Sequence, residues 1–267
     1  MKASLITVTY NSAEDLREFW TDIATLPAEW IVVDNASTDD SAGVARSLGA
    51  KVIDLPENLG FSAANNIGVC AATTDTLVFA NPDVRVTQPG LDVLVEELRV
   101  LGGLIAPQLL NPDGSSQENG RAMPYPHRKI AHMFWPNGKV SRGYSRFARP
   151  SQSLKVPWVM GAVLAMSRGD FEKIGGWDER YFIYYEDADI CLRSWKAGVE
   201  VNVLGTVNWV HGWARETSQS FSWKIWKFEI TSAVKFYSAH PTAIFPVGKF
   251  SRDMKKIERS VLKEHDG

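Results

Sequence analysis

No stretch of this chain approaches the roughly 18 consecutive apolar residues that a membrane-spanning helix needs, so no transmembrane segment is expected. The opening "MKASLITVTYNS" turns polar too soon to read as a signal peptide. Cysteine is scarce. Cys70 and Cys191 lie far apart with no CxxC partner, and read as reduced core thiols of a cytosolic protein, a single disulfide being the other arrangement. A charge excess of one sign is missing too: the net charge of −2 gives no whole-chain field to attract nucleic acid. Internal repeats and low-complexity tracts are absent. The 267 residues suffice for one large domain or two small ones.

What is there begins with alternation. Short β-branched runs at 4–10, 30–34, 51–55 and 76–80 are separated by stretches of helical spacing at 12–25, 38–48 and 60–72. That pattern predicts βαβ units and a mostly parallel sheet. Ser12, and Ser37 or Thr38, are suited to cap the first two helices. In open α/β sheets a ligand lies at the carboxyl ends of the strands. Those ends here are "TYNS", "VDNAS", "ENLGFSAANN" and "ANPDV", each carrying Asn or Asp. After a helix near 89–101, the spacing predicts a strand over 154–167, with Gly161 marking a close backbone approach, then helices at 169–174 and 186–197 and strands near 199–210.

Residues 121–150 contain no acid but carry Arg121, Arg128, Lys129, Lys139, Arg142, Arg146 and Arg149. They read either as a solvated loop or as a flexible segment that touches an anionic group. The tail at 221–240 reads as an amphipathic helix. From 218 to 267 there are nine Lys/Arg against five Asp/Glu, so this extension packs on its own domain, on a bilayer surface or on a second subunit.

Three carboxylates crowd into "YFIYYEDADICLR": Glu186, Asp187 and Asp189. Asp189 has Arg193 four residues on and so a structural partner. Glu186 and Asp187 suit a helix start, where the macrodipole favours anions. The Trp- and Tyr-rich loop before them offers rings that stack on sugars, and a carboxylate beside such a platform can accept a hydroxyl proton. Asn81 and Asp83 in "FANPDV" form an oxygen pair suited to a hard divalent cation. His211, after an apolar run and before Gly212, stands open as metal ligand, phosphate contact or structural residue.

As an ordered set, "VTYNS", "VVDNASTDDS", "ENLGFSAANNIG", "FANPDV", "GAVLAMSR", "GGWDERYFIYYEDADICLR" and "HGWARE" resemble the inverting family 2 glycosyltransferases, above all the bacterial rhamnosyltransferases. The resemblance covers roughly residues 4–215. It implies a GT-A-type, Rossmann-like α/β fold with a mixed central sheet over 1–217 (a nucleotide-sugar half, 1–105, and an acceptor half, 106–217), plus a helical extension over 218–267. It implies that Thr9, Tyr10, Asn11 and Asp34 hold the nucleoside and that Asn58, Phe61, Asn65, Asn66 and Asn81 lie along the nucleotide sugar. Asp83 and His211 would bind Mg2+ or Mn2+, and Asp187 would be the catalytic base. Trp158, Gly161, Trp177, Asp178 and Glu186 would face the acceptor. The first acid of the family's D-x-D metal motif is replaced by Asn81, a neutral oxygen donor. The implied reaction is an inverting transfer of a sugar, with dTDP-rhamnose or a UDP-sugar as donor, to a glycan or lipid-linked glycan at the cytoplasmic membrane face. A homodimer through the C-terminal helix is a further expectation. A non-catalytic sugar-nucleotide binder is the alternative from another class. A sugar nucleotidyltransferase is disfavoured because the first turn, "TVTYNSAEDL", has neither Gly nor a basic residue to cradle a triphosphate.

Overall fold

The β-branched runs form strands and the spaced apolar residues between them form helices. The computed structural model describes residues 3–265 apart from 22, 24–27, 136–137, 139, 141–142 and 213–222. The first half runs β1 (Ala3–Thr9), α1 (Ala13–Phe19), β2 (Ala28–Asp34), α2 (Ser41–Ser47), β3 (Lys51–Asp54), α3 (Phe61–Ala71), β4 (Thr76–Ala80), β5 (Val84–Arg85) and α4 (Gln88–Leu101). The second half runs β6 (Leu104–Leu110), β7 (Gly120–Arg121), α5 (Pro126–Phe134), β8 (Ser145–Arg146), β9 (Ser153–Lys155), β10 (Trp158–Val159), β11 (Val163–Ser167), α6 (Arg168–Lys173), α7 (Glu186–Lys196), β12 (Val201–His211), α8 (Trp223–Ala239) and α9 (Gly248–His265).

The central sheet has nine strands, in the order β3-β2-β1-β4-β11-β6-β12-β5, with β9 beside β12. Strands β1 to β4 are parallel, and β12 is parallel to β6. Strand β11 runs against both β4 and β6, and β5 and β9 run against β12. The sheet is therefore mixed, not mostly parallel. Alternation fixes the layers. Leu5, Val78, Ile105 and Ala165 face a core with Leu16, Leu91, Leu94 and Leu98 of α1 and α4. Ile6, Leu77, Phe79, Leu164 and Val203 face the opposite core with α6 and α7. Each such buried side chain contributes about 1.5–3 kcal/mol relative to exposure.

Several expectations change. The strand expected over 154–167 is three short strands, because Pro157 has no N–H for a ladder and the chain turns at 160–162. Ser12 stands at the start of α1 without capping it; Asp39 accepts the Ala13 N–H instead (3.0 Å). Neither Ser37 nor Thr38 caps α2, which starts after Asp40, with Asp39 Oδ1 accepting the Ser41 N–H (3.0 Å). Cys191 is buried and free, but Cys70 is exposed. The division expected at 105/106 falls inside β6, and the boundary at 217/218 lies outside the described residues.

The basic segment 121–150 is neither a solvated loop nor an open anion site over its described length. Arg121 pairs with Glu118 (2.5 Å) and Arg128 with Glu258 of α9 (2.7 Å). Arg146 donates to the carbonyls of Gly143 and Ser145. Lys139 and Arg142 lie outside the described residues. The extension joins the main core through Phe236 and Met254. It is also latched by His240, whose Nε2 lies 2.6 Å from Asp189 Oδ1.

Candidate active site

Strands β1, β2, β4 and β12 all end on one edge of the sheet. Tyr10 and Asn11 follow β1, Asp34 ends β2, Asn81 follows β4 and His211 ends β12. A cleft of about 850 Å³ opens there, lined among others by Tyr10, Asn11, Arg17, Asp39, Asn81 and Asp83. Tyr10 presents an exposed ring to it. The size suits a small molecule held by a few polar groups.

The loops beside this cleft are braced by side chains. Asp34 accepts from Thr9 Oγ1 (2.9 Å), Ser37 Oγ (2.6 Å) and the Ser37 N–H (3.0 Å). Asn11 Oδ1 accepts from the Thr38 N–H (2.8 Å), with Asn11 itself at φ 55. Asn58 Oδ1 accepts from Asn35 Nδ2 and the Gly60 N–H, both at 2.9 Å. Gly60 has φ 84, and a Cβ there would stand 2.6 Å from the Phe182 carbonyl oxygen, so only glycine lets this loop back onto the aromatic loop.

Asp83 and His211 meet across the β5–β12 pairing: Asp83 Oδ2 lies 3.3 Å from His211 Nε2. Gln117 fixes the tautomer. Its Nε2 donates to Asn111 Oδ1 (2.9 Å), which leaves Oε1 to accept from His211 Nδ1 (2.6 Å). With the proton on Nδ1, Nε2 offers its lone pair beside the Asp83 carboxylate, so one imidazole nitrogen and one carboxylate oxygen converge. The donor set therefore fits a divalent ion that takes one carboxylate and one imidazole and keeps other positions for water and phosphate. Among the described residues no larger His/Cys/Asp/Glu group is gathered to hold a metal ion.

The crowded acids lie at the head of α7. Tyr184 and Tyr185 have φ 70 and φ 68, a conformation that costs aromatic residues about 1–2 kcal/mol each. This strained turn swings Glu186 and Asp187 into the first helical turn. Asp187 is held from both sides: its Oδ1 accepts the Ala188 N–H (2.7 Å) and its Oδ2 the Gly161 N–H (3.2 Å). The next residue, Ala162, accepts the Asn81 N–H (2.9 Å), so one short backbone path joins Asp187 to the cleft edge. A Cβ on Gly161 would lie 3.3 Å from Asp187 Cβ, a tight contact that any larger residue here would relieve only by shifting Asp187 by a few tenths of an ångström. Burial pushes the Glu186 carboxyl well above the usual range, and the neighbouring Asp187 charge adds to it. Burial also raises Asp187, but Lys129, Arg121 and the two N–H groups pull it back.

Other expected residues turn inward. Trp158 is buried and donates Nε1 to the Ala122 carbonyl (2.8 Å), and Trp177 is buried edge-on to Phe61 and Phe79. Neither ring is available to stack on an acceptor sugar. The "GGWDERYFIYY" loop builds core with Trp177, Tyr181 and Tyr185, while Phe182 stacks on Phe228. Thr9 is buried behind Asp34 and supports it. Asn65 is buried and donates to the Phe61 carbonyl (2.9 Å), and Asn66 brackets the Trp177 backbone. These three asparagine and threonine side chains serve the scaffold. Asp178 pairs with Arg180 (2.5 Å). Asp189 pairs with Arg193 as expected (2.7 Å), but buried and with His240 as a second partner. Gln117, Lys129 and Glu229 were not singled out as site residues; only the lack of acids around Lys129 hinted at one of them.

A mixed α/β sheet with a polar cleft at its carboxyl edge and a perturbed carboxyl pair beside it is the layout of an enzyme that holds a small polar ligand next to an acid–base group. The comparisons give the particular family. The model of glycosyl transferase family 2 matches residues 4–175, and that of the N-terminal domain of galactosyltransferase matches residues 142–211. The chain belongs to glycosyl transferase family 2 and is a glycosyltransferase. It is 30% identical over 216 residues to an N-acetylglucosaminyl-diphospho-decaprenol L-rhamnosyltransferase of Mycobacterium tuberculosis, covering 73% of this chain and 70% of that one. It is 24% identical over 188 residues to the rhamnosyltransferase WbbL of Escherichia coli K12, covering 66% and 69%. Among solved structures, GalNAc-T7 with UDP, GalNAc and Mn2+ superposes with a TM-score of 0.64 at 17% identity, covering 97% of this chain and 54% of that one. The chain thus spans about half of that enzyme's length. Residues 1–349 of S. aureus TarS, in complex with UDP-GlcNAc, superpose with a TM-score of 0.61 at 14% identity, covering 99% and 72%. Both likenesses bear on the fold, which is GT-A.

Proposed function

We propose that this enzyme transfers L-rhamnose from dTDP-rhamnose, with inversion, to a hydroxyl of a lipid-linked glycan, in the synthesis of a cell wall or surface polysaccharide. The rhamnosyl donor is supported by the names of both bacterial relatives, and the lipid-linked acceptor by that of the Mycobacterium tuberculosis relative. The observation that carries the chemistry is Asp187, held by the Gly161 and Ala188 N–H groups one residue from the strand edge that bears Asn81.

In this reading Tyr10 and Asn11 receive the nucleoside, with Asp34 bracing their loop, and Asn58 and Phe61 flank the donor. Asp83 and His211 hold a divalent cation, Mg2+ or Mn2+, which when bound neutralises charge on the leaving diphosphate. Gln117 keeps His211 in the tautomer that presents Nε2. Asp187 takes the proton of the acceptor hydroxyl, whose oxygen attacks the anomeric carbon from the face opposite the diphosphate. The two N–H groups keep the carboxylate pointed, and Glu186, neutral in its buried site, orients the acceptor.

Residues 1–217 are the proposed transferase unit and 218–267 its extension. We propose that the extension rests on an anionic bilayer through the outer face of α9. Between 248 and 260 its exposed side chains include Lys249, Arg252, Lys255, Lys256 and Arg259 against one partly exposed acid, Asp253, which pairs with Lys256 (3.7 Å), and Phe245 and Val247 protrude just before it. No described helix is long and apolar enough to cross a membrane.

The test is competition binding of dTDP and UDP with Mg2+ or Mn2+, followed by mass-spectrometric detection of a rhamnosylated product from dTDP-L-rhamnose and a short-chain GlcNAc-diphospho-lipid. Tighter binding of UDP than of dTDP overturns the donor. Donor binding with neither transfer nor slow donor hydrolysis overturns catalysis in favour of a binding protein.

A further inference from the structure

Helix α5 brings one cation to the acid pair. The Lys129 ammonium stands 4.2 Å from the centre of the Tyr185 ring and 5.7 Å from that of Trp158. Its Nζ lies 4.0 Å from Glu229 Oε1 of α8. We propose that Lys129 is a positioning residue: fixed over Tyr185 and opposed by Glu229, it selects Asp187 over Glu186 as the carboxyl that carries charge when the acceptor arrives. This inference rests on Asp187 being the base.

The argument is a charge count in a small, largely buried space. Three acids meet there: Glu186 and Asp187 from α7 and Glu229 from α8. Two cations face them, Lys129 from α5 and Arg121 from β7. Arg121 is already claimed. It binds Glu118 at 2.5 Å and lies against the rings of Tyr144 and Trp158. Tyr144 and Cys191 also face Asp187, but burial pushes both up, so both stay neutral over the working range. Lys129 is then the cation most able to stabilise a charge on the pair. Its pull falls unequally. Asp187 has two N–H donors to share the charge, whereas Glu186 Oε2 is buried with no hydrogen-bond partner. One cation between two adjacent carboxyls therefore leaves the charge on Asp187 and the proton on Glu186. Coupled carboxyls in unequal surroundings divide acid and base roles in this way.

Glu229 makes the device depend on the extension. Its carboxylate draws Lys129 toward α8 and opposes ionisation of both α7 acids. Burial works against Lys129 as well, lowering its pKa, and the three acids restore part of that. Glu229 thus tempers the pull of Lys129 on the acid pair while α8 is docked.

Opposite signs from the two members of the pair make the test. Removing a cation raises the pKa of a base, so Lys129→Met should move the acidic limb of the kcat/KM profile for the acceptor to higher pH by about one unit. Activity at the lower end of the range should fall about tenfold and recover at high pH, with the KM for dTDP-rhamnose unchanged. Lys129→Arg should retain most of the wild-type profile. Glu229→Gln should move the limb the other way. A merely structural role would lower turnover evenly at every pH and shift both variants alike. Carbon-13 NMR titration of Asp-labelled protein reads the Asp187 shift without turnover. An unshifted Asp187 in Lys129→Met overturns the inference, as do parallel shifts in the Lys129 and Glu229 variants. If Lys129→Met fails to fold, the sign of the Glu229→Gln shift decides. Asp187→Asn in the same assay separates the two readings. If it remains active, the base assignment fails; if it is dead while Lys129→Met is unshifted, only this inference fails.

Discussion

Two acid clusters sit on this chain, and they are built on opposite principles. Asp34 and Asp39, at the end of β2 and before α2, are wrapped in donors: Thr9, Ser37 and Ser41 side chains and the N–H groups of Ala13, Ser37 and Ser41. For Asp39 burial works against the charge, but these donors outweigh it and hold the carboxyl below its ordinary range. Glu186 and Asp187, at the head of α7, are buried and half-buried respectively, with only backbone N–H donors for Asp187 and a strained turn before them, and both are raised. The first cluster stabilises the loops that shape a cleft. The second gathers unfavourable charge at a helix start, where we propose that a proton is accepted. An acidic run is thus read by its donors and not by its composition.

The largest expected effect sharpens the contrast at its functional end. Asp187→Asn is close to isosteric and should lower kcat by about 10²–10⁴-fold while dTDP binding stays as it was, measured by steady-state kinetics and calorimetry. Next comes Asp189, two residues on, which belongs with the first kind of acid: it is buried and paired with both Arg193 and His240. Asp189→Asn should cost about 3 kcal/mol in urea unfolding, because it leaves the largely buried Arg193 guanidinium without its carboxylate. A cost near zero would return Asp189 to the exposed pairing expected from sequence. At the cleft, Gln117→Leu should weaken metal affinity by about 10–100-fold in a Mn2+ titration of donor binding, since it frees the His211 tautomer.

The smallest effects test the comparison directly, because they should have opposite signs. Asp39→Asn should destabilise by about 1 kcal/mol through lost bonds at the starts of α1 and α2. Glu186→Gln should raise Tm at neutral pH, because a carboxyl whose folded pKa is raised loses stability as pH climbs above its unfolded value. The gain should vanish below about pH 4, where both proteins carry a neutral side chain. Glu118 gives the mirror image. Burial opposes its charge, but His132, Arg121 and Ser145 outweigh that and hold it at about 2, so its contribution is present above the unfolded value and is lost as pH falls toward 2. Equal signs for Asp39→Asn and Glu186→Gln would break the comparison.

Much of this was legible in order along the chain. The period-2 runs of the first eighty residues gave the strands, and the Asn and Asp residues after them marked the ligand edge, since parallel strands must end on one side. The pairing of Asp189 with Arg193 followed from helix spacing alone. The ring-rich loop misled, because Trp and Tyr serve sugar stacking and core packing equally well by composition. Trp158 and Trp177 went to the core. The acid-free segment misled in the same way: its missing acids are supplied from elsewhere in the chain, Glu118 for Arg121 and Glu258 for Arg128.

By itself, the sequence determined the alternation of strands and helices, the polar strand ends and the position of the acid pair at a helix start, because these depend on neighbours within a few residues. Only the tertiary structure decided that β11 enters the sheet antiparallel, that Gln117 faces His211 opposite Asp83, and that Lys129 meets Glu229 over the Tyr185 ring. Those arrangements join residues tens of positions apart. Their energies come from burial and from charges brought within a few ångströms, quantities that do not exist until the chain has folded.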